Sequence, residues 1–315
     1  MSYLSVVKNS LVTLRLVLIF ASVSIASVVM LAVPRSSVLA QQPDSQFSIS
    51  PEDSISFRAD NFYLSNDSML GFVEVPAGPF QMGSNPLVDP MAFENERWSE
   101  ARRQGTVDLP AFYISRYEVT VAQFSAFVEA SGYRADPMSL QSASDHPVSY
   151  VSWTDALAYV RWLESQLKQS AQTPAFIQEL LQGGWRLALP DEAQWEKAAR
   201  GTDGRIYPWG NQARKDRANY SGKTTTVVGS FDCPECVYGL SDMSGNVWEW
   251  TRSPYQPLPF DSTDDRENLS KEALWVMRGG AYNDAENNAR SAVRGAADPG
   301  ARRPFIGFRL VMFRQ

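Results

Sequence analysis

Two cysteines and one histidine are all that 315 residues hold of the side chains that most often bind transition metals. So few exclude a disulfide-dense scaffold and a zinc site of the usual His/Cys kind, and any histidine-based triad would rest on His146 alone. Positive charge is also in short supply: 29 Lys and Arg against 35 Asp and Glu leave a net charge of −6. The leading forty residues carry Lys8, Arg15 and Arg35 and no acid, so setting those three charges aside takes the remainder from −6 to −9. An acidic body of this kind has no basic face for phosphates, which excludes a nucleic-acid binder, and anionic membrane surfaces repel it. Internal repeats of roughly 20–50 residues are missing, which excludes a solenoid or propeller. What is present is 44% hydrophobic and 12% aromatic, enough for a large core and too much for a disordered chain.

The one long apolar run, Leu16 to Val33, follows Lys8 and Arg15 and precedes Val38-Leu39-Ala40. Charged, apolar and small-residue segments in that order predict a signal peptide over residues 1–40, cut after Ala40, and a periplasmic location. The alternative is an uncleaved anchor, since the run reaches the lower limit for a membrane span. Residues 41–70 are polar and aperiodic and read as a linker or N-terminal arm, leaving 71–315 as the domain.

Within that domain, Phe72-Val73-Glu74-Val75 alternates like a strand, Phe80 to Gly83 follows a turn, and Phe112 to Val119 reads as another strand. Thr120 caps a helix bearing Phe124, Phe127 and Val128, Thr154 caps one over Asp155 to Leu167, and Asp191 caps Glu192 to Arg200, with Gly201 at its end. From Gly201 to Gly280 no period is legible, and the last strand is expected at Phe308 to Met312. Nine tryptophans among so few regular elements predict long loops held by buried rings whose indole N–H groups need partners.

Eight phrases in order carry a resemblance. They are Val75-Pro76-Ala77-Gly78 to Met82-Gly83, Tyr117-Glu118-Val119-Thr120, Pro147-Val148 to Val151-Ser152-Trp153, and Arg186-Leu187-Ala188-Leu189-Pro190 with Glu192 and Trp195-Glu196. Tyr207-Pro208-Trp209-Gly210 follows, then Tyr238-Gly239-Leu240 running into Gly245-Asn246-Val247-Trp248-Glu249-Trp250, then Arg278-Gly279-Gly280, and Gly307-Phe308-Arg309. Over about residues 71–313 the chain resembles the formylglycine-generating enzyme (sulfatase-modifying factor) family. The resemblance implies an α+β fold, the formylglycine-generating-enzyme variant of the C-type-lectin fold, loop-rich and with little regular secondary structure.

Active members of that family oxidise a substrate cysteine with copper held by two cysteines after the Arg-Gly-Gly phrase, soft ligands for a soft cuprous ion. Here Asp284 and Ala289 stand at those two positions, and Ala281 stands where a serine lies near the copper, so no copper is expected. The family's calcium spacing persists in Asp242, Gly245, Val247 and Glu249, two carboxylates with two main-chain oxygens between them, which suits a hard cation. The competing reading pairs Glu249 with an arginine such as Arg278. A second calcium site near Asn219-Tyr220 lacks its acidic loop.

Cys233-Pro234-Glu235-Cys236 reads either as a redox pair or as a structural disulfide in an oxidising compartment. Trp248, Tyr282, Asp284, Glu286, Arg290 and Arg294 line either a ligand or partner surface or a set of salt bridges tying down the C-terminal loops. The expected function is an exported, non-oxidase binding or regulatory module, for example in envelope threonine-phosphorylation signalling controlling type VI secretion. Its partner would be an envelope protein or a small ligand, with a membrane involved only if the leading segment stays uncleaved. The alternative is a periplasmic enzyme of altered chemistry, such as maturation of a siderophore chromophore of the pyoverdine kind. Formylglycine generation itself is the least supported reading.

Overall fold

Three of the four α-helices among the described residues begin at side chains that cap them. Thr120, Ser152 and Asp191 each accept the N–H of the third helical residue, and Gln123, Asp155 and Gln194 return a bond to the cap's own N–H. Each reciprocal pair satisfies two donors that the first turn leaves open. The helices are α1 (Val121–Ser131), α2 (Trp153–Gln169), α3 (Ala175–Gln182) and α4 (Glu192–Arg200). The cap of α2 is Ser152 rather than the expected Thr154, whose hydroxyl bonds Ser152 Oγ at 2.9 Å.

This computed structural model describes residues 62–101, 103–264 and 273–314. The expected signal segment 1–40 and residues 41–61 of the expected arm lie outside the described residues. Leu64 and Leu70 are buried in the core, so packing of the domain begins upstream of Gly71. Among the described residues, no helix is long and apolar enough to cross a membrane.

The strands are β1 (Phe72–Val75), β2 (Gly78–Met82), β3 (Gly105–Leu109), β4 (Phe112–Ser115), β5 (Trp185–Ala188), β6 (Trp248–Pro254), β7 (Trp275–Arg278), β8 (Arg294–Ala297), β9 (Ile306–Gly307) and β10 (Val311–Arg314). One sheet runs β1-β4-β10-β5, all neighbours antiparallel. β2 and β3 form a two-stranded ribbon, and a second sheet runs β8-β7-β6-β9 with β6 and β9 parallel. The terminal strand starts at Val311 rather than Phe308. Before it, Phe308 enters the core and Arg309 turns inward to Glu249. This mixture of helices and antiparallel sheet is an α+β fold.

Aromatic rings join helices to sheets. Trp153 of α2 stacks on Trp275 of β7 with centroids 3.8 Å apart. Burial leaves indole N–H groups to satisfy: Trp153 Nε1 donates to Thr251 O at 2.8 Å, Trp250 Nε1 to Val151 O at 3.0 Å, and Trp209 Nε1 to Gln212 O at 2.7 Å, whereas the buried Nε1 of Trp275 has no hydrogen-bond partner. Helix α4 is buried along its whole length although most of it is polar. Charges taken from water need partners. Arg200 meets Glu196 at 2.8 Å, and Arg278 of β7 meets Glu192 at 3.0 Å and Glu196 at 2.6 Å. This ionic layer fixes α4 against the second sheet, from whose ends the site loops leave.

Candidate functional site

The loop after β7 turns at Gly279 and Gly280, both at positive φ. A side chain at Gly280 would sit 2.5 Å from Asn288 O, so only glycine lets the loop fold back on itself there. The return brings Asp284 against Trp248, the first residue of β6. Asp284 Oδ2 accepts from Trp248 Nε1 at 2.7 Å and from Ala281 N at 2.9 Å, while Oδ1 accepts from Asn288 Nδ2 at 3.0 Å. Three internal bonds leave this carboxylate committed to holding the loop. Ala281 and Ala289 are buried, and Ala289 O accepts from Ser244 Oγ. Tyr282 is half-buried beside them, and Glu286 is exposed.

Arg290 and Arg294 correct the surface expected from the sequence, because both point into the protein. Arg290 is 1% exposed; its Nη1 donates to Asp89 Oδ2 at 2.6 Å and Glu96 Oε2 at 2.8 Å, and its Nη2 to Glu96 Oε1 at 2.6 Å. Arg294 is 7% exposed and grips Glu192 through Nε at 2.5 Å and Nη2 at 2.8 Å. The accessible remnant of the predicted cleft is therefore Trp248, Tyr282, Asp284 and Glu286. Nothing local in the sequence marks Asp89 and Glu96 as partners of Arg290, since they lie about 200 residues away, as the separations of 201 and 194 positions record.

The segment of the expected calcium site is a tight turn. Asp242, Gly245 and Asn246 all have positive φ. A Cβ at Gly245 would lie 2.1 Å from Asn219 O, so the turn requires glycine to approach that strand of chain. Asp242 Oδ2 accepts from Gly229 N at 2.7 Å, and its buried Oδ1 has no hydrogen-bond partner. An orphaned buried carboxylate oxygen fits a hard cation. Glu249 fits less well: Oε2 accepts from Trp195 Nε1 at 2.7 Å and Arg309 Nε at 2.6 Å, and Oε1 from Arg309 Nη2 at 2.7 Å. Its arginine partner is thus Arg309, whereas Arg278 belongs to Glu192 and Glu196.

Burial pushes the Asp242 carboxyl up to about 6, with the nearby Glu249 charge adding and the Gly229 N–H and Arg309 opposing. Burial likewise raises Glu118 well above the usual carboxylate range, and the charges of Asp242 and Glu249 add to it. Glu118 is a neighbour that reasoning from the sequence missed. Its Oε1 is also buried without a partner, and Asn246 Nδ2 reaches Oε2 at 3.3 Å. Among the described residues no three His, Cys, Asp or Glu side chains converge at metal-binding spacing, so a cation in this turn would depend on main-chain oxygens.

Cys233 and Cys236 form a disulfide with Cα atoms 5.3 Å apart. Hence a covalent link is present in the loop before the Asp242 turn. His146, the lone histidine, bonds Thr225 Oγ1 through Nδ1 at 2.8 Å.

This architecture and these phrases agree with known proteins. Hercynine oxygenase of Mycolicibacterium smegmatis is 28% identical over 76% of this chain, which spans 60% of that protein's length. An inactive C-alpha-formylglycine-generating enzyme 2 from Bos taurus is 27% identical over 78% of this chain and 89% of its own. Among solved structures, PvdO from Pseudomonas aeruginosa superposes with a TM-score of 0.62 at 25% identity, covering 76% of this chain and 93% of that one. Residues 61–313 match the sulfatase-modifying factor enzyme 1-like domain, and with that match the chain belongs to the sulfatase-modifying-factor family.

Proposed function

We propose that this chain is an exported member of its family without copper oxidase chemistry, acting as a binding or regulatory module of the envelope. Threonine-phosphorylation signalling that controls type VI secretion is the setting that fits this reading. One observation carries it: at the two positions that the resemblance assigns to copper thiolates stand Asp284, whose carboxylate accepts bonds from Trp248, Ala281 and Asn288, and the buried Ala289. A hard, internally bonded carboxylate and a methyl group offer a cuprous ion nothing in place of sulfur. The likeness to a protein named as an inactive formylglycine-generating enzyme supports the same reading. An envelope protein or small ligand would meet the Trp248, Tyr282 and Glu286 surface. The second reading, an enzyme of altered chemistry such as siderophore chromophore maturation, is favoured by relatives named as oxygenases.

The expected result with a sulfatase-motif peptide and added copper is an unmodified cysteine by mass spectrometry; appearance of the formylglycine mass would overturn the proposal. Deleting the gene in its host is expected to change type VI effector release into the medium. Unaltered release together with a lost siderophore absorbance would replace the first reading with the second.

The same reading includes one structural calcium ion in the 242–249 turn, held by the Asp242 carboxylate and the main-chain oxygens of Gly245 and Val247. Glu249 would have to share an oxygen with Arg309 to join them. A cation that binds only the folded chain stabilises it by about 2.7 kcal/mol when present at about 100 times its Kd. Chelation is therefore expected to lower the melting temperature, and elemental analysis to find calcium at one ion per chain. An unaltered melt and a calcium-free sample would remove the ion from this account.

A further inference from the structure

The loop that carries the disulfide is held in place without it. Arg205 Nη1 donates to Glu235 O at 2.8 Å, Arg214 Nη1 and Arg217 Nη2 both donate to Glu235 Oε1 at 3.1 and 2.9 Å, and Arg217 Nη1 donates to Asp232 O at 3.0 Å. Main-chain bonds shape the turn itself, from Cys236 N to Cys233 O and from Gly239 N to Cys236 O, each 3.1 Å. On its two flanks, Cys233 packs against the cluster of Ile206, Tyr207 and Trp209, and Val237 covers Gly201 at the end of α4.

Against this anchoring a covalent ring spanning three positions adds little, because the entropy removed from the unfolded chain grows with ring size and is smallest here. Both cysteines are half-buried rather than enclosed, and Pro234 and Glu235 between them are exposed, so an incoming sulfur has access. Accessible disulfides are the labile ones, and enclosed ones resist reduction. A reduced loop kept in shape by three arginines would hold its two thiols side by side, ready to close again.

We infer that Cys233 and Cys236 form a reversible dithiol–disulfide site that exchanges with a protein dithiol. The inference goes beyond the binding or enzymatic readings above and depends on neither. In the exchange, a donor thiolate attacks one Sγ, the S–S bond breaks, and the other sulfur leaves as a thiolate that takes up a proton. The donor's second thiolate then attacks the mixed disulfide and releases the first cysteine. Two electrons and two protons pass to the pair, and the donor leaves as its own disulfide; the reverse sequence reoxidises the loop.

The test treats the folded protein with reduced dithiothreitol as the probe dithiol, quenches with iodoacetamide in the absence of denaturant, and weighs the peptide bearing Cys233 and Cys236. Melting is recorded in parallel. Both thiols are expected to be alkylated while the chain stays folded, with the melting temperature falling by only a few degrees. Transfer to oxidised dithiothreitol is expected to restore the disulfide. The Cys233→Ser/Cys236→Ser double variant should fold and melt near the parent. Alkylation that appears only with unfolding, or a double variant that does not fold, would make the disulfide a structural staple and overturn the inference.

Discussion

Arg290→Ala is expected to destabilise the protein by about 3–5 kcal/mol, the range for breaking a buried ion pair from one side. Four hydrogen bonds end on this guanidinium: two to Glu96, one to Asp89 and one from Nε to Asn287 O at 2.8 Å. It also lies 5.1 Å from the centre of the Phe93 ring. Truncation leaves two carboxylates, both buried, with no cation to offset their desolvation. Arg290→Lys is expected to recover part of the loss, since a single ammonium restores the charge and cannot reproduce the two-pronged grip on Glu96. Urea midpoints at unchanged slope measure the effect. A variant that melts like the parent would return Arg290 to the candidate binding surface, where the sequence alone leaves room for it.

Glu192→Ala should do comparable damage by the opposite charge, again about 3–5 kcal/mol. Glu192 is the first residue of α4 and receives Arg294 at 2.5 and 2.8 Å and Arg278 at 3.0 Å. Arg278 keeps Glu196 at 2.6 Å, but Arg294 keeps only main-chain oxygens, from Asn95 at 3.0 Å and Gln256 at 2.9 Å, and the Tyr255 ring 5.0 Å away. The buried guanidinium then loses the one carboxylate that it bonds directly. For a domain of this size each kcal/mol moves the melting temperature by roughly 2–4 °C, so a drop of about 10 °C is expected. Glu192→Gln, which keeps two acceptor or donor groups and the shape, should lose less. Equal losses in the two variants would mean that packing, not charge pairing, is what Glu192 contributes.

Arg290 and Glu192 are both buried beneath the candidate surface. At the position that the resemblance assigns to a copper ligand, Asp284 ties the loop to Trp248. The arginines that follow are turned inward as anchors, one to the 89–96 segment and one to α4. The loop that could carry chemistry is thus held in shape by charges that face away from solvent. Changes at Trp248, Tyr282 or Glu286 are the ones that can alter recognition without dismantling this support.

Local pattern reaches some of this and stops short of the rest. The caps at Thr120 and Asp191, the stop at Gly201 and the strand at Phe72 to Val75 depend on neighbours within a few residues, so they are readable directly. β6 and β7 are not: Trp248–Pro254 is buried on both faces over most of its length and Trp275–Arg278 throughout, so neither shows the two-residue alternation of a half-exposed strand. The stretch from Gly201 to Gly280 looks aperiodic for that reason and because residues 201–247 are turns and loops with no regular element. The sequence by itself determined the family, the α+β class and the surplus of rings needing partners, because each follows from residue identity at ordered positions. Which charge meets which was decided only by tertiary structure. Arg309 rather than Arg278 holds Glu249, Arg290 crosses to Asp89 and Glu96, and Arg294 meets Glu192. Such pairs are separated by tens to hundreds of positions, and any arginine of a charged chain could satisfy any acid until the core, packing to a single arrangement of rings and strands, brings particular ones within reach.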